Sequence, residues 1–144
     1  MPASRPDVAQ PAQPFLYAIL RVVPQVERGE MLNVGIILFC RPRRYLAARI
    51  SLDRDVLHAF APDCDLDTVA AHLALIPRIC AGDPDAGPMA HLQQPERFHW
   101  LVAPSSTIVQ PSEVHTGLTH DPPGTLEHLV RSLVQRGVQD AAGS

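Results

Sequence analysis

The sequence predicts an α+β fold in which a mostly antiparallel sheet of four to five strands has two to three helices packed on one face. Two strongly apolar, β-rich runs flank a short polar loop between residues 15 and 40. Apolar residues recur at helical spacing in two later segments, each preceded by an aspartate that can cap a helix. The order of three strands, two helices, one or two strands and a final helix is typical of this class.

The first three strands are predicted at residues 15–23, 34–40 and 45–52. The first run alternates between two faces and ends at Pro24, which cannot extend a strand ladder. The second run is apolar on both faces, which predicts a central strand covered on both sides. Residues 41–43 contain a proline typical of a β-turn, so the second and third strands are predicted to form a hairpin.

Three helices are predicted from their start signals and apolar stripes. Asp53 can cap a short helix that ends at Phe60, and Asp65 can cap a second helix. Pro77 is predicted to kink or end that second helix. Asp121, followed by a proline at the first helical position, predicts the start of the last helix.

The segment between the second and last helices is predicted to be a loop followed by strands. Residues 82–95 contain three prolines and two glycines and are interpreted as a surface loop. Residues 98–102 are predicted to form a fourth strand, and residues 107–110 a short, β-branched fifth strand.

One domain is predicted, because 144 residues match the size of a single domain and 46% of them are apolar. Residues 1–14 contain four prolines and are expected to be a disordered lead-in. The α+β domain is expected to span residues 15–136 and to be followed by a mobile tail at residues 137–144.

Composition and motif content argue against several classes of protein. A net charge of -3 and a pI of about 6.1 disfavour a dedicated nucleic-acid binder. All twelve basic residues are arginine, so the chain has neither a lysine nucleophile nor a GxxxxGK[ST] phosphate loop.

No Cys/His zinc pattern occurs, and no metal or cofactor is expected. No signal peptide or membrane span is predicted, and three widely spaced cysteines are typical of reduced thiols in the cytoplasm.

Two sequence blocks resemble those of one bacterial family. The first block reads ERGE…NVG at residues 27–35 and lies between two predicted strands. The second block reads APSST…QPSEVHTG at residues 103–117 and precedes the last predicted helix. In these blocks the chain is similar, over roughly residues 15–134, to the family catalogued as Domain of Unknown Function 3037. The resemblance implies a small cytosolic protein without an established activity, with a partner or regulator role beside a HipA-like kinase.

The ERGE loop, residues 27–30, begins the first candidate site. The polar cluster there consists of Glu27, Arg28, Glu30 and Asn33. Two carboxylates three residues apart could share a Mg²⁺ ion with help from the nearby amide. The alternative is a charged turn in which a glutamate pairs with Arg28 or with Arg21, and we favour it because surface charge pairs are common and usually minor. Arg21 lies between apolar neighbours in the first strand, so it needs a partner.

The VHTG segment, residues 114–117, is the second candidate site. His115 precedes a glycine, so it could sit at a tight turn and act, beside Thr116, as a base or a phosphate contact. The alternative is a histidine hydrogen-bonded to the backbone in a structural turn. The resemblance implies an arginine at the position where this chain has Ser105. An anion contact that this arginine makes in other family members is therefore not assigned to this chain. A serine–histidine triad is not supported, because no GxSxG motif occurs.

Five arginines are concentrated around the predicted hairpin, namely Arg41, Arg43, Arg44, Arg49 and Arg54. They form the only basic patch in the sequence, and Arg43 and Arg44 are its candidate partner contacts. The patch could meet a phosphate or an acidic partner surface. Alternatively, it is a solvated hairpin rim that discourages edge-to-edge strand pairing.

Two functional hypotheses follow from these residues. The first is a non-catalytic interaction or regulatory partner of another protein, for which the resemblance implies a HipA-like kinase; no catalytic residue is assigned. The alternative is a small ligand-binding domain or enzyme whose polar pocket joins the ERGE loop, Arg21 and Asn33 to the VHTG segment. Nucleic-acid binding through the hairpin arginines is a third hypothesis, which the acidic pI disfavours.

Overall fold

A five-stranded antiparallel sheet organises the part of the chain that the computed structural model describes, residues 11–105 and 107–135. The strands are β1 (Gln13–Val22), β2 (Leu32–Cys40), β3 (Tyr45–Ile50), β4 (Val109–Pro111) and β5 (His115–Thr119). Their order is β3-β2-β1-β4, and β5 also pairs with β1, along its first half. Strands β2 and β3 form the predicted hairpin.

Four α-helices accompany the sheet within the described residues. They are α1 (Arg54–Phe60), α2 (Leu66–Cys80), α3 (Gln94–Leu101) and α4 (Pro122–Leu129). A π-helical segment, Val130–Val134, continues α4. The predicted α+β class with a mostly antiparallel sheet is confirmed, with one helix more than the two to three expected.

The predicted N-caps of the first two helices are present. The Asp53 carboxylate accepts a hydrogen bond from the backbone N–H of Val56 at 3.1 Å. The Asp65 carboxylate accepts bonds from the hydroxyl of Thr68 at 2.7 Å and from its backbone N–H at 3.2 Å. These bonds satisfy amide groups that have no partner inside the helix. The hydroxyl bond, followed by the amide bond, lowers the pKa of Asp65 below its ordinary value.

The helices pack on both faces of the sheet, so the expectation of helices on one face is wrong. Helices α1 to α3 cover one face, in an apolar cluster that includes Leu20, Ile37, Phe39, Leu57, Leu73 and Phe98. Helix α4 and the π-helical segment cover the other face, in a cluster that includes Ile19, Ile36, Leu38, Leu126 and Val130. The physical reason lies in β2, which is buried from Val34 to Cys40 and therefore needs an apolar cover on each face.

The first sequence block contains a β-bulge. Leu20 pairs with Gly35, whereas the next residue of β1 pairs with Asn33, so Val34 is the extra residue of the bulge. A Cβ atom at Gly35 would lie 2.8 Å from the backbone carbonyl oxygen of Arg49. The glycine of the NVG motif therefore allows β3 to approach β2 closely.

Residues 98–102, predicted to be a strand, lie instead in helix α3 and its C-cap. The apolar run FHWLV suits a strand by composition, but the helix starts at position 94, with a proline in its first turn. The Glu96 carboxylate also accepts a hydrogen bond from the backbone N–H of Gln93 at 3.4 Å. Phe98 is buried against Phe39, with ring centroids 5.1 Å apart, and this packing overrides the local strand preference.

Helix α2 continues past Pro77 to Cys80, so the proline does not end the helix, which was one of the two predicted outcomes. The proline lacks an N–H donor, which removes one hydrogen bond close to the end of the helix. Its carbonyl still accepts a hydrogen bond from the backbone N–H of Ala81 at 3.0 Å. The chain then leaves the helix at Gly82, whose φ of 73° suits a glycine.

Several boundaries differ from the predicted ones. Strand β1 begins at Gln13, which pairs with Thr119, rather than at residue 15. The predicted loop at residues 82–95 contains two 3₁₀ turns, Pro84–Ala86 and Pro88–His91. The predictions for residues 1–10 and 136–144 lie outside the described residues. In the described part of the chain, every helix is too short or too polar to cross a membrane.

Candidate functional site

The turn of the β2–β3 hairpin forms one side of the candidate site. Residues Arg41–Arg43 make a 3₁₀ turn that contains Pro42, and the backbone N–H of Arg44 donates to the Arg41 carbonyl at 3.0 Å. Arg44 has a φ of 52°, and it is the only non-glycine residue with a positive φ in the described chain. Arg41 and Arg44 are both exposed at this turn.

The start of helix α3 forms the other side of the site. The side-chain amide of Gln94 donates a hydrogen bond to the backbone carbonyl of Arg44 at 2.9 Å, which ties the helix to the hairpin turn. Between the two elements lies a cleft of about 550 Å³, which we call the arginine cleft. Its lining consists of Arg41, Arg44, Gln93, Gln94, Pro95 and Arg97.

The arginines of the arginine cleft form no ion pair with a described carboxylate. Arg97 donates to the backbone carbonyls of Leu92 at 2.6 Å and Cys80 at 3.3 Å, and its Nε is buried without a hydrogen-bond partner. Carbonyl oxygens carry no net charge, so the guanidinium remains a full positive charge. None of the ion pairs formed by described residues includes an arginine of this cleft. Like charges on one concave surface produce a positive potential that attracts anions.

An apolar cleft of about 290 Å³ adjoins the arginine cleft and shares Arg41 and Pro95 with it. Its other lining residues are Pro14, Phe15, Leu16, Phe39, Pro42, Phe98, His99 and Thr116. The two clefts therefore meet along the same side of the hairpin turn. Thr116, a predicted site residue, lines this apolar cleft.

The other hairpin arginines have partners elsewhere. Arg43 donates to the backbone carbonyl of His120 at 3.3 Å and is absent from the lining of the arginine cleft. Arg49 forms an ion pair with Glu127 of α4, and Arg54 forms one with Asp67 of α2. The five arginines of the predicted basic patch therefore have different surroundings. Arg41 and Arg44 are the two that line the arginine cleft and form no ion pair with a described carboxylate.

The ERGE loop contains an exposed ion pair. Arg28 and Glu30 lie 3.1 Å apart, each with about half of its side chain exposed, and Glu27 is also exposed. This arrangement corresponds to the charged turn, with Glu30 rather than Glu27 as the partner of Arg28. Within residues 11–105 and 107–135, no group of three histidine, cysteine or acidic side chains is placed to hold a metal ion.

Arg21 and Asn33 connect the sheet to the π-helical segment. The Nε of Arg21 donates to the side-chain oxygen of Asn33 at 3.4 Å, and the Asn33 amide donates to the Leu133 carbonyl at 3.0 Å. The partner that Arg21 needs is thus an amide rather than a glutamate of the ERGE loop. Asn33 therefore holds the π-helical segment against the sheet, and Arg21 bonds to the same side-chain amide.

The VHTG segment enters strand β5 at His115 and does not form the predicted tight turn. His115 pairs with Tyr17 in β1 and stacks on its ring, with centroids 5.1 Å apart. Arg21 lies four positions further along β1, which corresponds to roughly 13 Å. The strand register therefore places His115 and Thr116 away from Arg21 and Asn33, and it does not join them in the predicted common pocket.

Two further residues of the second block have structural roles. Ser112 is buried in the short segment between β4 and β5. Its hydroxyl accepts a hydrogen bond from the Ile19 N–H at 2.8 Å, and its backbone N–H donates to the Ile19 carbonyl at 2.7 Å. Gly117 lies under the ring of Phe15, where a Cβ would come within 2.7 Å of the ring. These contacts explain a serine and a glycine at these positions without reference to a ligand.

Sequence reasoning missed Arg97 and Gln94 as site residues. Both lie on helix α3 and line the cleft, whereas the sequence predicted a loop at Gln94 and no element at Arg97. The proline and glutamate near position 95 were the available signal for a helix start. With the helix recognised, the spacing of three residues between Gln94 and Arg97 would have placed them on one face.

The fold and the site define a small α+β domain, covered on both faces of its sheet, with a positively charged cleft on its surface. Residues 17–134 match a family described as proteins of unknown function, DUF3037, and the chain belongs to this family. This result confirms the resemblance seen in the two sequence blocks. No curated protein and no solved structure matches the chain.

Proposed function

We propose that this protein is a non-catalytic interaction domain that binds an acidic region of another protein through the arginine cleft. One observation supports the proposal most directly. Arg41, Arg44 and Arg97 line one cleft of about 550 Å³, and none of them has an ion-pair partner among the described carboxylates. A concave surface with a single sign of charge steers oppositely charged partners and favours their orientation.

The backbone of Arg44 supports a role for its side chain. Its φ of 52° lies in the left-handed region, which costs an L-residue roughly 1–2 kcal/mol and which glycine adopts readily. Turn geometry alone therefore favours glycine at this position. Backbone strain of this kind concentrates at binding sites, where the side chain is required for function.

A HipA-like kinase in the bacterial cytoplasm is the partner that we propose to test first. This choice rests on what the family resemblance implies about a neighbouring kinase. The thiols of Cys40, Cys64 and Cys80 are free, which is compatible with a reducing compartment. An acidic surface on such a kinase would complement the arginine cleft.

Charge reversal in the cleft tests this function. The double variant Arg41→Glu/Arg44→Glu should weaken binding to the kinase on the order of tenfold or more, because two attractive charges become repulsive. Arg131→Glu is the matched control, since Arg131 is exposed on the π-helical segment. Titration calorimetry gives the affinities, and circular dichroism shows whether each variant is folded.

Three results would count against the proposal at different levels. Equal affinities of the double variant and the unchanged protein would exclude the arginine cleft as the binding surface. An equal loss in Arg131→Glu would show a general effect of charge rather than a site. Absence of kinase binding would exclude this partner, and native purification followed by mass spectrometry would then test whether any stoichiometric partner depends on Arg41 and Arg44.

Small-ligand binding beside the ERGE loop is a second candidate function. Arg28 and Glu30 line an open cleft of about 500 Å³ together with Cys64 and Asp65. Burial and the neighbouring Asp65 carboxylate raise the pKa of the Cys64 thiol, which disfavours a thiolate nucleophile. The cleft therefore suits binding better than covalent chemistry. Free amino acids can serve as probes for this cleft. A rise in the melting temperature of the unchanged protein when they are added, with no such rise in Arg28→Ala, would support this function.

A further inference from the structure

The arginine cleft and the apolar cleft lie side by side, and we call the pair the groove. They share Arg41 and Pro95, so these two residues stand at the boundary between the charged end and the apolar end. The charged end has about 550 Å³ and the apolar end about 290 Å³. An extended ligand that crosses Arg41 and Pro95 would contact both ends.

The apolar end has the size and chemistry to bind a large side chain. Its walls include Leu16, Phe39 and Phe98, which belong to the core cluster beneath it. Its volume of about 290 Å³ lies at the lower limit of the roughly 300–1,000 Å³ that pockets for whole ligands occupy. One aromatic or branched aliphatic side chain suits this space, and its burial would contribute affinity that charge alone does not provide.

We infer that the groove binds an extended segment of a partner protein in which one or two acidic side chains lie next to a large apolar side chain. The acidic side chains would bind at Arg41 and Arg44, and the apolar side chain would enter the apolar cleft. This inference rests on the proposed function and adds the chemistry of the segment that the site recognises. Charge complementarity supports an acidic occupant, and the adjoining apolar walls favour a peptide over an oligonucleotide.

Fluorescence anisotropy with short synthetic peptides tests the inference. Each labelled peptide carries two glutamates and one phenylalanine in a glycine–serine background, with the separation between the two features varied. Matched peptides replace the phenylalanine by serine or the glutamates by glutamine. We expect the best peptide with both features to bind on the order of tenfold more tightly than either matched peptide.

Two variants assign the two features to the two ends of the groove. Arg44→Glu should remove the advantage of glutamate while leaving that of phenylalanine. Thr116→Trp should remove the advantage of phenylalanine, because Thr116 is an exposed residue of β5 at the rim of the apolar cleft. Val114→Trp is its matched control, since Val114 is also exposed and does not line the cleft.

Three other outcomes would each overturn part of the inference. Binding that depends on glutamate but not on phenylalanine would overturn the composite groove and leave the proposed function intact. Peptide binding that is unchanged in Arg41→Glu/Arg44→Glu would overturn both. A single-stranded oligonucleotide that binds more tightly than every peptide would overturn the assignment of a protein segment as the occupant.

Discussion

The side-chain amide of Gln94 donates a hydrogen bond of 2.9 Å to the backbone carbonyl of Arg44, across a sequence separation of 50 residues. This bond links helix α3 directly to the hairpin turn, and both of its residues line the arginine cleft. It therefore holds Arg44 and Arg97 on opposite walls of one cleft.

Replacement of Gln94 by alanine tests the importance of this link. Gln94→Ala should lower the free energy of unfolding by only about 1 kcal/mol, because water can replace the lost hydrogen bond at a partly exposed carbonyl. Binding of an acidic partner should fall by a larger factor, since the two walls of the cleft are no longer joined. Urea denaturation and titration calorimetry measure the two effects, with Gln25→Ala, in an exposed loop, as the control.

Arg44→Gly should raise the stability of the fold and weaken the binding of the partner. Glycine relieves the left-handed backbone strain at a φ of 52°, so the free energy of unfolding should rise by up to about 1 kcal/mol. Partner affinity should fall, because one cationic side chain of the cleft is removed. Arg43→Gly is the control and should destabilise the fold, since Arg43 has no positive φ and its bond to the His120 carbonyl would be lost. A destabilised Arg44→Gly variant would contradict the assignment of strain.

Gly35→Ala should destabilise the sheet by about 1–3 kcal/mol, the usual range for overpacking. The new Cβ would lie 2.8 Å from the Arg49 carbonyl oxygen and 2.9 Å from the Cδ1 of Ile50, and the backbone atom cannot rotate away. Gly29→Ala provides a contrast, because that position has open space but a φ of 71°. Thermal denaturation should therefore show a lower melting temperature for both variants, with the larger decrease for Gly35→Ala. The opposite order would contradict the close approach of β3.

Local signals allowed much of the fold to be predicted from the sequence. The β2–β3 hairpin follows from two apolar runs and a proline in the turn, and the caps at Asp53 and Asp65 need only residues three positions away. Helix α3 was missed because the apolar composition of residues 98–102 outweighed the helix-start signals before it. The second covered face was missed because the position of α4 depends on contacts with distant strands.

The candidate site could be predicted only in part for the same physical reason. Arg44 was recognised because the hairpin arginines are close together in the sequence. Arg97 comes from a helix more than fifty residues later, and its contacts are with backbone carbonyls that carry no sequence signal. The proposed union of the ERGE loop with the VHTG segment failed because strand register, which spacing does not reveal, places them at different points along β1.

Ser112→Ala should destabilise the fold by about 1–3 kcal/mol, because it leaves the buried N–H of Ile19 without an acceptor. The Ser112 hydroxyl lies 2.8 Å from that nitrogen and replaces a strand partner at the interruption between β4 and β5. Ser105→Ala, at an exposed position, should change stability much less. Hydrogen exchange of the Ile19 amide gives a residue-specific measurement and should accelerate in Ser112→Ala. Unchanged protection would show that another group satisfies this amide.

The stability of the fold should decrease in alkaline solution because of Cys80. Burial raises the pKa of its thiol from 9.0 to about 12, although the nearby Arg97 acts in the opposite direction. The unfolded chain therefore loses this proton near pH 9.0 while the folded protein keeps it, so the contribution is fully present below pH 9.0 and is lost as the pH rises towards about 12. Urea denaturation across this interval should show a falling free energy of unfolding.

Cys80→Ala should make that pH dependence shallower, even if the loss of packing lowers stability at every pH. Cys64→Ala is the comparison, because the Cys64 side chain is less buried and should contribute less to the slope. The slope with pH, rather than the absolute stability, is the relevant measurement, since it reports the difference in bound protons between the folded and unfolded states. Identical slopes for Cys80→Ala and the unchanged protein would assign the alkaline sensitivity to another group, such as Tyr45, whose pKa is raised by its burial and by the charges of Asp121 and Cys80.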